Sequence, residues 1–388
     1  MQRDDFAQAE CSNNMSGVRP ATRPAGVRFC ADGEDVKRRF IARMEELELH
    51  QGIEIMYCSD DDSVTFSLHQ DFMGSWVPHY DTTQLSRYLD LDPVKRSDDL
   101  ECEILLAMLA APCFFEYPSY DEFVSAVRIR CNIVHAARQT RIAFHTSEAE
   151  RPEEFWTYVP GRGYAVVPGK ALIHALEKAI QPGASDRLYS FSCYRATEYI
   201  ILLAIAKELA RVNPTLLQAL QNQWEQQPIV SGKFHDVFLS EYGSTDEPLP
   251  PKYYVPGDRV WFRNTDERSS DVSGYEGSWV FYLGGGLFSN LWKCAQPYTL
   301  TSKCVEIFHW RHGVYLDDAL EPRMDESVVD ARMRETLADT NEVSRILDIM
   351  ARLRDPQGVY ASGGCIDASR EFPKCIRPGS EQIMLPDI

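Results

Sequence analysis

The run Tyr199-Ile-Ile-Leu-Leu-Ala-Ile-Ala206 constrains this chain more than any other segment. It has no polar face, so a helix built on it must be buried all round. It is too short to cross a bilayer, as is the other long apolar stretch at 104–115, and it therefore belongs to the core of a globular domain. Directly before it stands Ser192-Cys193-Tyr194-Arg195. The spacing puts the thiol at the helix start, where backbone N–H groups lack intrahelical partners and the helix dipole favours negative charge. A thiol so placed ionises more easily, and the thiolate is the nucleophile. Cys193 is the candidate nucleophile, with Ser192 and Tyr194 flanking it.

The 388 residues suffice for two domains, or for one large domain with extensions. Apolar residues at 44% and charged residues at 25% suit a soluble globular protein. A net charge of −18 argues against nucleic acid and anionic membrane as partners, since both require basic surface. A lysine-bearing protein partner would instead be attracted. The polar, acidic start Met1-Gln-Arg-Asp-Asp-Phe6 lacks the apolar core of a signal peptide, so a cytoplasmic location is expected. The eleven cysteines include no Cys-x-x-Cys pair, and their odd count and wide spacing suit free thiols in a reducing compartment.

Residues 1–33 carry Pro, Ser, Asn, Gly and charge without periodicity and read as a disordered tail. Residues 34–115 form an N-terminal α+β extension, with a helix at 35–49, strands at 52–58 and 63–68, and a helix at 100–109. A catalytic core is expected at 116–320. It begins with a helix at 120–141, followed by short strands at 155–159 and 164–167 and a helix at 170–180. After the Cys193 helix, Asn213-Pro214 opens another helix, and strands follow at 259–263, 276–283 and near 287–292. Thr301 begins a further helix. Residues 321–388 form a C-terminal extension, helical over 325–353 and ending in a Gly- and Pro-rich, loosely packed tail.

A nucleophile-bearing helix followed by a small antiparallel sheet that supplies the base is the layout of papain-like cysteine enzymes. Three segments here follow that order, and a fourth lies ahead of them. They are Arg130-Cys-Asn-Ile-Val134 in its helix, Tyr189-Ser-Phe-Ser-Cys193, Gly257-Asp-Arg-Val-Trp-Phe-Arg-Asn264, and Tyr275 through Gly284. On these segments, from roughly 115 to 300, the chain resembles the bacterial spore-type protein-glutamine gamma-glutamyltransferases, transglutaminases with an NlpC-like, papain-related core. The resemblance implies an α+β papain-like fold with extensions at both ends, a thiol acyltransferase that crosslinks protein Gln and Lys side chains, a link to sporulation, and no cofactor.

Carried over position by position, the family's cysteine falls on Cys193, and the glutamate of its Gly-Glu-Asn strand falls on Ser278. The glutamate preceding the family's cysteine is Ser192 here. A His-Gly beyond the glycine turn has Asn290 as its nearest residue. Glu276 lies two residues before Ser278, and a strand places i and i−2 on one face, so a bulge or register shift could bring its carboxylate to the thiol. His309 and His312 are further candidate bases. The Cys193 N–H would contribute to an oxyanion site, and Trp261 and Trp279 would exclude water. With the family's glutamates replaced, two other readings stand beside the transferase: an inactive papain-like binding or structural protein, and a thiol amidase or deamidase.

No other motif points to chemistry. Gly284-Gly-Gly286 joins two strands and lacks the phosphate-loop pattern, so it reads as a hairpin turn. Ser59-Asp-Asp-Asp-Ser63 lacks EF-hand spacing. The nine histidines are dispersed, and no metal site is expected.

Overall fold

Two sheets organise the chain, and both draw on segments far apart in sequence. The computed structural model describes residues 24–30, 33–58, 62–144, 149–183 and 187–386. The first sheet holds β1 (Gly26–Phe29), β2 (Ile53–Cys58), β3 (Ser63–Leu68) and β4 (Phe114–Tyr117) in the order β2-β3-β1-β4. Only the β1–β4 pair is parallel. Helix α1 (Gly33–Glu46) lays Val36, Phe40 and Met44 on it, and the Phe40 ring stacks on Phe66 at 4.1 Å.

β1 corrects the reading of 1–33 as disordered throughout. Val27 and Phe29 alternate with Gly26 and Arg28 and pair with Phe66 and Val64. The alternation is too short to register within a Pro- and Gly-rich stretch, and its partners lie some forty residues away. Residues 1–23 and 31–32 of the expected tail, and 59–61 of the acidic turn, lie outside the described residues.

The second sheet is antiparallel and contains β5 (Leu239–Tyr242), β6 (Arg259–Arg263), β7 (Gly277–Gly284), β8 (Leu287–Phe288), β9 (Tyr298–Thr299) and β10 (Arg370–Pro373). Their order is β9-β8-β7-β6-β10-β5. The faces of β7 alternate. Phe281 and Leu283 join one apolar cluster, Val280 and Tyr282 the other. Helix α2 (Ser97–Leu109) joins the first cluster. So do α3 (Tyr120–Gln139), capped by the Ser119 hydroxyl, and α4 (Cys193–Val212), and both α3 and α4 pack against β7. The second face is covered by α5 (Leu300–Gly313), α6 (Glu326–Leu337) and α7 (Thr340–Met350). The helical stretch expected at 325–353 is broken at Asp339, whose carboxylate accepts the Asn341 N–H at 2.9 Å and caps α7.

β10 overturns the expectation of a loosely packed C-terminal tail, because it lies between β5 and β6 inside the sheet. The chain after it is held by the buried Glu122 carboxylate of α3. That carboxylate accepts the N–H groups of Ile376 and Arg377, both at 2.9 Å, and the Ser380 hydroxyl at 2.7 Å. The first apolar cluster runs from Val27 to Ile383, so the N-terminal segment, core and C-terminal segment share one interior.

Two of the segments that carry the family resemblance brace this interior. Arg130 of α3 donates to Asp258 at 2.6 Å and to the Pro256 carbonyl at 3.3 Å. Asp258 also accepts the Val255 N–H at 2.7 Å and the Tyr242 hydroxyl. The desolvation cost of this buried pair is offset by its hydrogen bonds. Gly257 has φ +91°, and a Cβ there would sit 2.9 Å from the Arg130 Cα, so the close approach requires glycine. The Gly284-Gly-Gly286 turn links β7 to β8 as expected. Glu103 of α2 holds it, accepting the Gly285 N–H at 2.8 Å and the Tyr282 hydroxyl at 2.7 Å. Among the described residues all ten cysteines are free, and no helix is long and apolar enough to cross a membrane. The architecture is α+β, with a cysteine-headed helix packed on an antiparallel sheet.

Candidate active site

Ser192 caps α4, its hydroxyl accepting the Arg195 N–H at 3.3 Å, and Cys193 is the first residue of the helix. The thiol lines a cavity of about 110 Å³ beside Ser278 of β7, Asn290 of the following loop and Lys303 of α5. The aromatic walls are Phe144, Tyr275, Trp292, Tyr298 and Trp310. Trp292 packs edge-on against Phe144 at 4.9 Å, and Trp310 against Tyr275 at 5.2 Å.

β7 borders the cavity at Gly277 and Ser278. Gly277 lets β6 pack closely on it, because a Cβ there would fall 2.3 Å from the Trp261 ring and 2.6 Å from the Phe262 carbonyl oxygen. Ser278 then sits opposite Phe262 and faces the cavity, and the Trp279 N–H is among the groups that favour the ionised Cys193 sulfur. Burial pushes the Cys193 thiol up. The Trp279 N–H, the Lys303 charge, the Tyr194 N–H and the Arg259 charge oppose that rise.

The Trp279 ring points the other way, as strand alternation requires. It lies 4.9 Å from the Trp261 ring, 5.8 Å from Tyr194 and 4.1 Å from the Arg259 guanidinium. Trp261 and Trp279 thus pack on the face of the sheet away from the cavity, and water exclusion falls to the five walls named above. Tyr194 donates its hydroxyl to the Ser231 carbonyl at 3.3 Å, bracing the helix start and not lining the cavity. Asn290 donates to the Gln296 carbonyl and accepts the Lys293 N–H, each at 3.1 Å, and so shapes the loop wall.

The candidate bases are not brought to the thiol. Glu276 precedes β7, is exposed, does not line the cavity, and folds its carboxylate onto the Gly274 N–H at 3.3 Å. No register shift moves it. The pairing of β7 with β6 is regular from Gly277, and the irregularity comes later, between Tyr282 and Gly284. His309 and His312 lie on α5 outside the cavity, hydrogen-bonded to each other at 3.0 Å.

Lys303 and Glu306 are among the cavity residues that escaped the sequence reading. Lys303 is buried on α5 with its ammonium 2.6 Å from the Glu306 carboxylate and 4.1 Å from the centre of the Tyr298 ring. The Tyr298 hydroxyl donates to the other Glu306 oxygen at 2.7 Å. The signal was a Lys-x-x-Glu pair amid the apolar Cys304, Val305, Ile307 and Phe308, which in isolation reads as an ordinary surface i,i+3 pair. Among the described residues no cluster of His, Cys, Asp and Glu could hold a metal ion.

The sequence pattern of the protein-glutamine gamma-glutamyltransferase family matches residues 82–383. The chain belongs to this family. The transglutaminase match extends beyond the four segments that carry the resemblance, taking in α2, the helices α5 to α7 and β10, in keeping with the shared interior. A solved transglutaminase from Geobacillus stearothermophilus, without its C-terminal extension, aligns with 55% of this chain and 98% of its own at 16% identity and a TM-score of 0.36. A search of curated proteins finds no match.

Proposed function

We propose that this transglutaminase-family chain transfers the γ-glutamyl group of protein glutamine side chains to primary amines through a Cys193 thioester. The observation that carries the reading is the thiol itself, at a capped helix start in an aromatic-walled cavity. The sulfur attacks the glutamine carboxamide carbon, and ammonia leaves with the thiol proton. A lysine amine then attacks the thioester, forming the isopeptide and returning the proton to sulfur. Backbone N–H groups at the start of α4 are placed to stabilise the oxyanion. Glu326 and Asp330 of α6 also line the cavity, and their charge favours a cationic acceptor. Ser192 and Ser278 stand where the family has glutamates, so the spore-type, NlpC-like part of the reading rests on the order of its four segments alone.

The test is incorporation of a fluorescent primary amine into a glutamine-bearing protein. Cys193→Ala is expected to reduce labelling to background while leaving the fold intact. Labelling that survives in Cys193→Ala would remove the thiol from the mechanism. Ammonia release without labelling would make the chain a deamidase.

A further inference from the structure

The cavity that holds Cys193 presents neither the family's glutamate nor an imidazole, yet it contains a fully formed buried ion pair. The Lys303 side chain is 4% exposed. A bare ammonium in such a place would carry a large desolvation cost. Glu306 offsets this with a contact of 2.6 Å, and the Tyr298 face adds cation–π attraction at 4.1 Å. Glu306 is itself fixed from the other side by the Tyr298 hydroxyl. The ammonium is thus held in position in the cavity that the Cys193 thiol also lines.

The other charges at the site are engaged as well. Lys293 is paired with Asp330 at 3.0 Å and is half exposed. Arg259 also favours the ionised sulfur, though less than Lys303 does; it is paired with Glu371 at 3.0 Å and lies outside the cavity. Glu326 accepts the Tyr275 hydroxyl at 2.8 Å.

We propose that Lys303, ion-paired with Glu306, is the positioning residue whose charge favours ionisation of the Cys193 sulfur against the cost of its burial, the electrostatic role that an imidazolium plays in papain-like sites. The inference rests on Cys193 being the nucleophile and concerns only the ionisation of its sulfur. The favourable influence of the Lys303 charge on the thiol agrees with this role.

The experiment is the pH profile of iodoacetamide alkylation at Cys193, followed by mass spectrometry of its peptide, in Lys303→Met and Lys303→Arg. The Met variant is expected to raise the midpoint by about one unit and to slow alkylation at neutral pH about tenfold. The Arg variant is expected to stay near the parent. If Glu306 left alone prevents Lys303→Met from folding, the paired change Lys303→Met with Glu306→Gln removes both charges and is read in its place. A profile that superimposes on the parent in the folded Met or paired variant overturns the proposal. Because alkylation needs no glutamine substrate, absent amine incorporation together with a shifted profile would sink the transferase reading and leave the role of Lys303 standing.

Discussion

His309 sits on α5 with Nε2 2.7 Å from the Thr336 hydroxyl and Nδ1 3.0 Å from Nδ1 of His312. Burial and the neighbouring His312 lower it to about 4, so the fold accepts only the neutral ring near neutral pH. Its folded value lies below the unfolded value of about 6.5. The stability that depends on the neutral ring is therefore complete above pH 6.5 and is lost as the pH falls from there toward 4. Urea midpoints at pH 7 and pH 4.5 should drop further in the parent than in His309→Gln, and equal drops would show that this ring does not titrate as described. The same packing withdraws His309 from chemistry and makes it a structural residue. Lys303 shows the opposite case, since burial beside a thiol gives an unremarkable lysine a role. Nothing in the local sequence separates the two, because what each side chain faces is set by other elements.

At the scale of elements, the α3 helix shows how one carboxylate can secure a distant segment. Glu122 falls in the first turn, where a carboxylate also suits the helix dipole, but its oxygens are directed at the N–H groups of Ile376 and Arg377. Glu122→Gln keeps the size, loses the charge, and should cost about 1–3 kcal/mol. Urea denaturation measures that loss, and limited proteolysis should show earlier cleavage after residue 373. An unchanged midpoint would mean that the C-terminal segment is held by its apolar contacts alone. The helix and strand periods of α1, β2, β3, α3, α4, β6 and β7 were readable because each carries enough residues to show its pattern. β1 and β10, at four residues each, do not.

Across the whole molecule, the sheet that positions the site is completed by a strand from the last twenty residues. β10 pairs with β5 at four positions and contacts β6 at Arg259. A chain ending at residue 354 would leave both neighbours with unpaired edges and would uncover the second apolar cluster at Cys365 and Ile366. Such a truncation is expected to abolish cooperative urea unfolding, not merely to lower its midpoint. A truncated chain that still unfolds cooperatively with the parent's slope would make the C-terminal segment an accessory. The family match over 82–383 agrees with the stronger dependence, since the segment lies within the family unit.

The sequence by itself determined the helix that carries Cys193, the strand that passes it and the order of both, because these depend on local pattern and on spacing along one stretch of chain. It also identified the family through that order. Only the tertiary structure decided that Glu276 turns away to the surface, that Trp261 and Trp279 pack behind the sheet, and that Lys303 and Glu306 stand in the cavity. Which face of β7 meets α4, and which turn of α5 meets both, depends on how the elements stack. That stacking is fixed by apolar contacts and buried hydrogen bonds between residues as far apart as Val27 and Phe66, Glu122 and Ile376, and Arg130 and Asp258.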